Sequence, residues 1–348
     1  MGSALLKKVL HLLASDKYGG AESIAIDIIQ SLKDQYEFAY ASPAGLIDKT
    51  LFKVGIKHVV LDYHHLVSFV RAVKMFEPEI IHAHDFKSSF LAHLLFRKIP
   101  IILHIHQAPE WQMTTNWKSR CFRYIANRSF KVIYVSDWAR ASYIYQDKVK
   151  KACVIKNGLK LSQIHELALR SNVKSYDVLF VGRLEHVKQP EVFLKIVKKV
   201  LKSHPHLKIG ILGEGSEFAV ISEKTQHDQQ IDVLGFKDNP YPYMLHSKVI
   251  LSTSVSDAFG LTMVEAAFLG AIPVAPNVGG IADTAQGVGG LIYHSQKEAV
   301  EILNRLFNDQ KYLDERLSRL STINFDFYDE RRYMGDIRKV YKEVLRNG

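Results

Sequence analysis

Two carboxylates stand eight positions apart in LSTSVSDAFGLTMVEAAFLGAIPVAPNVGG, residues 251–280, on either side of a glycine that opens a helical pattern. The periodicity predicts a buried strand over 250–253, a loop over 254–259, a helix over 260–269 and a further strand over 271–275. Asp257 then lies in the loop, where a carboxylate can accept hydrogen bonds from sugar hydroxyls. Glu265 falls more than a turn into the helix, and a carboxylate on an exposed helical face can chelate a ribose diol. The amides at the helix start, near Gly260 and Leu261, can meet a diphosphate oxygen, because the helix dipole favours an anion there.

A second cluster supplies cations. In VLFVGRLEHVK, residues 178–188, Arg183 follows Gly182 at a strand end, and Lys188 opens the next helical pattern. Both side chains can converge on an anion such as a diphosphate and offset its charge. Charge-assisted hydrogen bonds of this kind contribute roughly 1.5–3 kcal/mol each, enough to replace a divalent cation. The chain has no Asp-x-Asp triplet to hold a metal, so no metal cofactor is expected. Gly19 and Gly20 precede the periodic helix SIAIDIIQSL and let backbone amides approach a ligand closely, since no Cβ stands in the way. This turn lacks the G-x-G-x-x-G spacing of a dinucleotide site, and Gly213-Glu214-Gly215 lacks it too. His82 and His84, then His104 and His106, end two strands of the first half. Four histidines at strand ends suggest zinc, but the spacing supplies no clear third and fourth ligand, and packing is expected for His82 and His104.

These residues need a scaffold. Short apolar runs alternate with helical patterns throughout, the mark of α/β units on parallel sheets. Six strand candidates lie before residue 156. The polar stretch 169–176 resets the series, and six more follow from 178 to 292. The expected fold class is therefore α/β with two doubly wound sheets, divided into residues 1–170, 171–328 and a helical tail 329–348. Ligands bind such sheets beyond the carboxyl ends of the strands.

With 348 residues, 47% hydrophobic and 24% charged, the chain suits two globular domains. No apolar run reaches the ~20 residues of a membrane span. The opening MGSALLKK reads as neither a secretory signal nor a myristoylation site, and Cys121 and Cys153 read as reduced thiols, so a cytoplasmic setting is expected. The net charge of +10 lies wholly in the first half: residues 1–170 hold 24 Lys and Arg against 14 Asp and Glu, and the remainder holds 22 against 22. That asymmetry suits an anionic partner such as a phospholipid surface or a diphosphate-linked lipid. Nothing resembles a zinc finger or an RNP strand, so nucleic acid is not expected. In the stretch 111–131, five cations mix with Trp111, Trp117, Phe122 and Tyr124, a composition that fits either a membrane interface or an amphipathic helix packed on the core.

The segment Asp257-Ala258-Phe259-Gly260-Leu261 with Glu265 resembles the acid, seven residues, acid signature of family 4 retaining glycosyltransferases of the GT-B fold, with Asp257 and Ala258 where the family usually shows Glu and Gly. The Gly182–Lys188 element, the Gly19-Gly20-Ala21-Glu22 turn, the His-x-His strand end and Gly213-Glu214-Gly215 are similar to further motifs of that family. The resemblance implies two Rossmann-like domains facing a central cleft, with the tail helix crossing back to the first. It implies a donor site of Gly20, Gly182, Arg183, Lys188, Phe236, Asp257, Phe259, Gly260, Leu261 and Glu265, with Phe236 beside the base. Gly19, Gly20 and His84 would face the acceptor, and His106, Asp257, Arg183 and Lys188 would serve catalysis. The implied reaction moves a hexose or N-acetylhexosamine with retention from a nucleotide diphosphate sugar, UDP favoured and GDP possible. The acceptor would be a lipid-linked or polysaccharide glycan of a bacterial cell surface, with the enzyme peripheral on the inner face of the plasma membrane. A GT-B sugar-nucleotide epimerase or hydrolase, and a non-catalytic sugar-nucleotide or lipid-binding protein, are the alternatives.

Overall fold

The computed structural model describes residues 6–347. Contacts divide the chain into two units, one made of the residues up to Gly158 together with those from Arg331 onward, the other of Leu159–Glu330. The N-terminal unit holds strands β1 (Lys7–Leu12), β2 (Tyr36–Ser42), β3 (His58–Val60), β4 (Ile80–Ala83), β5 (Ile101–Ile105), β6 (Lys131–Tyr134) and β7 (Ala152–Val154). They form a parallel sheet in the order β3-β2-β1-β4-β5-β6-β7. The central strands are near-continuous apolar runs because helices cover both of their faces. Helix Gly20–Leu32 and the C-terminal helix Glu330–Asn347 pack on one face, and helices Leu66–Phe76, Phe86–Leu95 and Trp117–Arg128 on the other.

The C-terminal helix belongs to this unit because Tyr333, Ile337, Tyr341 and Val344, spaced by four, four and three, form one stripe that is buried against Tyr36, Phe38 and the first helix. Each such side chain contributes roughly 1.5–3 kcal/mol when removed from water. The stretch 111–131 is not one helix. It divides into Glu110–Met113 and Trp117–Arg128, because Asn116 caps the second helix in a reciprocal box with Ser119.

The second unit holds β8 (Tyr176–Val181), β9 (Ile209–Leu212), β10 (Ile231–Gly235), β11 (Ser247–Leu251), β12 (Ile272–Pro276) and β13 (Leu291–Tyr293), parallel and ordered β10-β9-β8-β11-β12-β13. Its boundary falls at residue 159 rather than 171. Leu159 bridges Asp329, and helix Leu161–Ala168 buries Ile164 and Ala168 in this unit's core. Strand order reverses at β1/β4 in one sheet and at β8/β11 in the other, so each unit has its own switch point at the carboxyl ends of the strands.

Candidate active site

In the second unit the switch point is a small cleft lined by Phe180, Lys188, Ser252, Ser254, Asp257 and Thr262, among others. Lys188 sits in a single 3-10 turn just before helix Pro190–Ser203, and its Nζ lies 2.7 Å from Asp257 Oδ2. Both side chains are largely buried. The other carboxylate oxygen of Asp257 accepts the amides of Phe259 at 3.1 Å and Gly260 at 2.8 Å. Its backbone carbonyl accepts Gly280 and Ile281. Asp257 therefore braces the loop before helix Leu261–Phe268, and the Gly260 amide is already taken. The amide open to an anion is that of Leu261, with that of Thr262, neither of which has a partner among the described residues. Gly260 itself adopts φ 81°, and a Cβ there would meet Ile281 at 2.5 Å.

Glu265 does not stand on an open helical face. Its side chain is only partly exposed, and desolvation pushes its pKa up to about 7 against the lowering effect of the Tyr241 hydroxyl, 3.3 Å from Oε1. Arg183 is exposed in the loop after β8, beside Gly182. That loop is locked to the next one. Leu184 N donates to Glu214 O, Glu217 N donates to Leu184 O, and Ser216 donates through its amide and hydroxyl to the Glu185 carboxylate. A Cβ on Gly213 would overlap the Gly182 carbonyl oxygen, so only glycine lets these two strand ends approach. Phe236, just past β10, leaves 61% of its surface exposed, an aromatic face held at the same edge of the sheet. Phe259 is buried under the loop and is part of its packing rather than a contact surface.

In the N-terminal unit, Gly19 and Gly20 begin the first helix. A Cβ on Gly19 would come within 2.8 Å of the Glu22 carboxylate, whereas nothing lies within 4 Å of one on Gly20. Asp85 ties the neighbouring loop down, accepting from Ala14 N and Ser88 N. Beside them runs a chain that sequence spacing showed only in part. His106 Nε2 lies 2.8 Å from His84 Nδ1, and His84 Nε2 lies 2.8 Å from His11 Nδ1. His11 Nε2 then meets the Tyr341 hydroxyl, which meets His82 Nδ1, and His82 Nε2 meets His104 Nδ1. His104 Nε2 ends the chain buried and unpartnered among the described residues. Nitrogens of His11, His82 and His84, and of His84, His104 and His106, lie within 4.8 Å of one another, which gives two three-histidine groups where the spacing had offered none. The pairwise contacts are those of imidazoles bonded to each other.

Burial holds all five histidines neutral: those of His11 and His106 fall to about 3, and those of His82, His84 and His104 well below the ordinary value. A neutral imidazole donates from one nitrogen and accepts at the other, so every link between rings is satisfied when all of them take the same tautomer. His84 is buried with both nitrogens engaged, so it backs His106 and is not itself a contact for an acceptor. His106, partly exposed at the end of the series, is the ring that can reach a ligand. His11 was absent from the sequence-based site. Its signal was a polar residue in phase with Val9 and Leu13 inside an apolar strand, and register places it opposite His82.

Two parallel α/β units, each with polar groups gathered at its switch point, define a doubly wound α/β class. A family model described as "Glycosyltransferase Family 4" matches residues 18–163, and one described as "Glycosyl transferases group 1" matches residues 164–321. The chain belongs to the family 4 glycosyltransferases of the GT-B fold. It is 25% identical over 293 residues, 78% of this chain and 81% of the relative, to the capsular polysaccharide biosynthesis glycosyltransferase CapH of Staphylococcus aureus. Over 148 residues, 42% of each chain, it is 30% identical to the O-antigen biosynthesis glycosyltransferase WbnH of Escherichia coli. The structure of Anabaena Alr3699/HepE in complex with UDP superposes with a TM-score of 0.81 at 20% identity, covering 97% of this chain and all of the other.

Proposed function

We propose that this glycosyltransferase moves a hexose or N-acetylhexosamine, with retention, from a UDP-sugar to a lipid-linked or polysaccharide acceptor in the synthesis of a bacterial surface glycan. The observation that carries the donor site is the Lys188–Asp257 pair set beside the open Leu261 amide at the β8/β11 switch point. A diphosphate seated there meets one positive side chain already positioned, a helix N-terminus, and Arg183 from the adjoining loop. Glu265 takes the ribose hydroxyls and Phe236 lies against the base. Retention is inferred from family membership, and the leaving diphosphate then helps deprotonate the incoming hydroxyl. His106, neutral and backed by His84, is the imidazole assigned to the reacting sugar, and the Gly19–Gly20 turn serves the acceptor. The cations make a divalent metal unnecessary in this reading. The capsular and O-antigen roles of the relatives, and a Campylobacter jejuni relative named for transfer to a diphospho-undecaprenol glycan, 30% identical over 120 residues, favour this setting. Among the described residues no helix is long and apolar enough to cross a membrane. Peripheral association with the cytoplasmic face is part of the proposed setting.

The test is thermal stabilisation by UDP, GDP, ADP and NAD, each with EDTA and with magnesium. A ligand at ~100 times its dissociation constant adds about 2.7 kcal/mol to stability. UDP is expected to raise the melting temperature equally with and without EDTA, and Lys188→Ala and Glu265→Ala to shrink the shift. No shift with any nucleotide, in folded protein, would favour the non-catalytic alternative. Product formed from a UDP-sugar without an acceptor would favour the epimerase or hydrolase.

A further inference from the structure

We propose that one helical face of the N-terminal unit docks on an anionic phospholipid bilayer. This gives the peripheral association above a defined surface, and it stands or falls separately from the donor site. Helices Leu66–Phe76, Phe86–Leu95 and Trp117–Arg128 lie side by side over the same face of the sheet, their inner residues sharing one core. Their sequences, LVSFVRAVKMF, FKSSFLAHLL and WKSRCFRYIANR, contain no Asp or Glu. The first helix carries Arg71 and Lys74, the second Lys87, and the third Lys118, Arg120, Arg123 and Arg128. None of these cations is held in an ion pair among the described residues. Lys131 just beyond them, by contrast, is paired to Glu343.

The same face keeps apolar side chains in water. Val67 is 85% exposed, and with Val70, Met75 and Leu95 it lines an apolar hollow of about 610 Å³ between the first two helices. On the third helix, packing divides the aromatics that the sequence left in one group. Phe122 turns inward, and Trp111 lies over it and Phe86. Trp117, 68% exposed, and Tyr124 point outward in a stripe with Arg120 and Arg128, at spacings of three, four and four. Arg128 lies over the Tyr124 ring and Lys118 over that of Trp117. Rings at headgroup depth with guanidinium groups beside them fit a bilayer interface that carries negative lipid. A second copy of the chain is the poorer occupant, because a self-complementary contact would set two acid-free cationic faces against each other.

The experiment is flotation of the full chain with vesicles of phosphatidylcholine alone or with 30% phosphatidylglycerol. Binding is expected only with phosphatidylglycerol, falling as salt rises. At about fivefold per basic residue near the surface, Lys118→Glu/Arg120→Glu/Arg128→Glu is expected to bind roughly a hundredfold or more weakly. Val67→Ser/Met75→Ser/Trp117→Ser should retain salt-sensitive capture and lose the fraction that resists high salt. Both variants should keep the nucleotide-induced melting shift of the parent, which shows them folded and separates this surface from the donor site. Wild-type protein that fails to float with phosphatidylglycerol overturns the proposal. So does unchanged flotation of the folded charge-reversal variant, or a dimer that the apolar variant abolishes.

Discussion

In the proposed donor site, Glu265 is the residue at which folding and binding pull in opposite directions. A carboxyl with a pKa of about 7 is half protonated at neutral pH, yet only the carboxylate can accept both hydroxyls of a ribose. Nucleotide diphosphate affinity is therefore expected to fall roughly tenfold from pH 8 to pH 6, with the proton released on binding measurable by calorimetry in buffers of different ionisation enthalpy. The stability sign is opposite to that of a salt-bridged acid. Because the folded pKa lies above the unfolded value, the stabilisation is fully present below pH 4.5 and is lost as pH rises through about 7. Glu265→Gln imitates the protonated form, so at pH 8 the free variant is expected to be more stable than the parent by up to about 3 kcal/mol, while losing most of its UDP-induced shift. A variant that melts lower than the parent at pH 8 would mean that the carboxylate has stabilising partners in the folded state and that the burial argument is wrong. Asp257 differs in kind. With one oxygen on two amides and the other on Lys188, its first task is to shape the loop, and in the proposed site its charge acts on a ligand through the lysine.

Elements explain why these residues meet. His11, His82 and His104 sit on three adjacent strands, and the two-residue period carries His84 and His106 to the same face, where Tyr341 of the C-terminal helix joins His11 to His82. Tyr341→Phe keeps the ring packed but leaves His11 Nε2 and His82 Nδ1 buried without a partner. Each orphaned group costs about 1–3 kcal/mol, so a loss of roughly 2–6 kcal/mol is expected in urea unfolding. A loss under about 0.5 kcal/mol would show that the histidines find other partners. The same elements show what the residue order can and cannot reveal. Apolar runs such as IILHI and KVIY located the strands, because burial on both faces leaves a local record. Strand His58–Val60 was missed because three residues at a sheet edge carry no period. Lys188, Asp257 and Leu261 were singled out by spacing and resemblance, and the fold does bring Lys188 and Asp257 together. The occupied Gly260 amide and the sunken Glu265 were not legible, since both depend on atoms brought together by the β8/β11 crossover. The link from His82 to Tyr341 spans 259 residues, and no local pattern encodes it.

At the scale of the whole molecule, charge follows the contact division more sharply than it follows the two halves of the sequence. The N-terminal unit, with its C-terminal helix, holds 28 Lys and Arg against 15 Asp and Glu, and the other unit 18 against 21. All five chain histidines lie in the positive unit, and burial keeps each neutral well below its ordinary pKa. On unfolding they regain an ordinary pKa near 6.5, so the unfolded chain binds protons that the folded one refuses. The sign is then clear: this stability is complete above pH 6.5 and falls as pH drops toward 3, by up to about 1.4 kcal/mol per pH unit for each histidine. Each proton taken up adds to a unit that already repels itself. Glu265 in the other unit works the opposite way and loses stabilisation as pH rises. Acid should therefore weaken the N-terminal unit first, and the chain carries its own reporter, since Trp111, Trp117 and Trp138 all lie there. Thermal unfolding followed by tryptophan fluorescence is expected to move to lower temperature between pH 7 and pH 5 by more than the transition followed by far-ultraviolet circular dichroism, which sees both units. His11→Gln/His82→Gln, if folded, should flatten that dependence because two of the titrating rings are gone. Coincident transitions at every pH would show that the units unfold as one, and an unchanged slope in the double variant would remove the histidine chain as the cause.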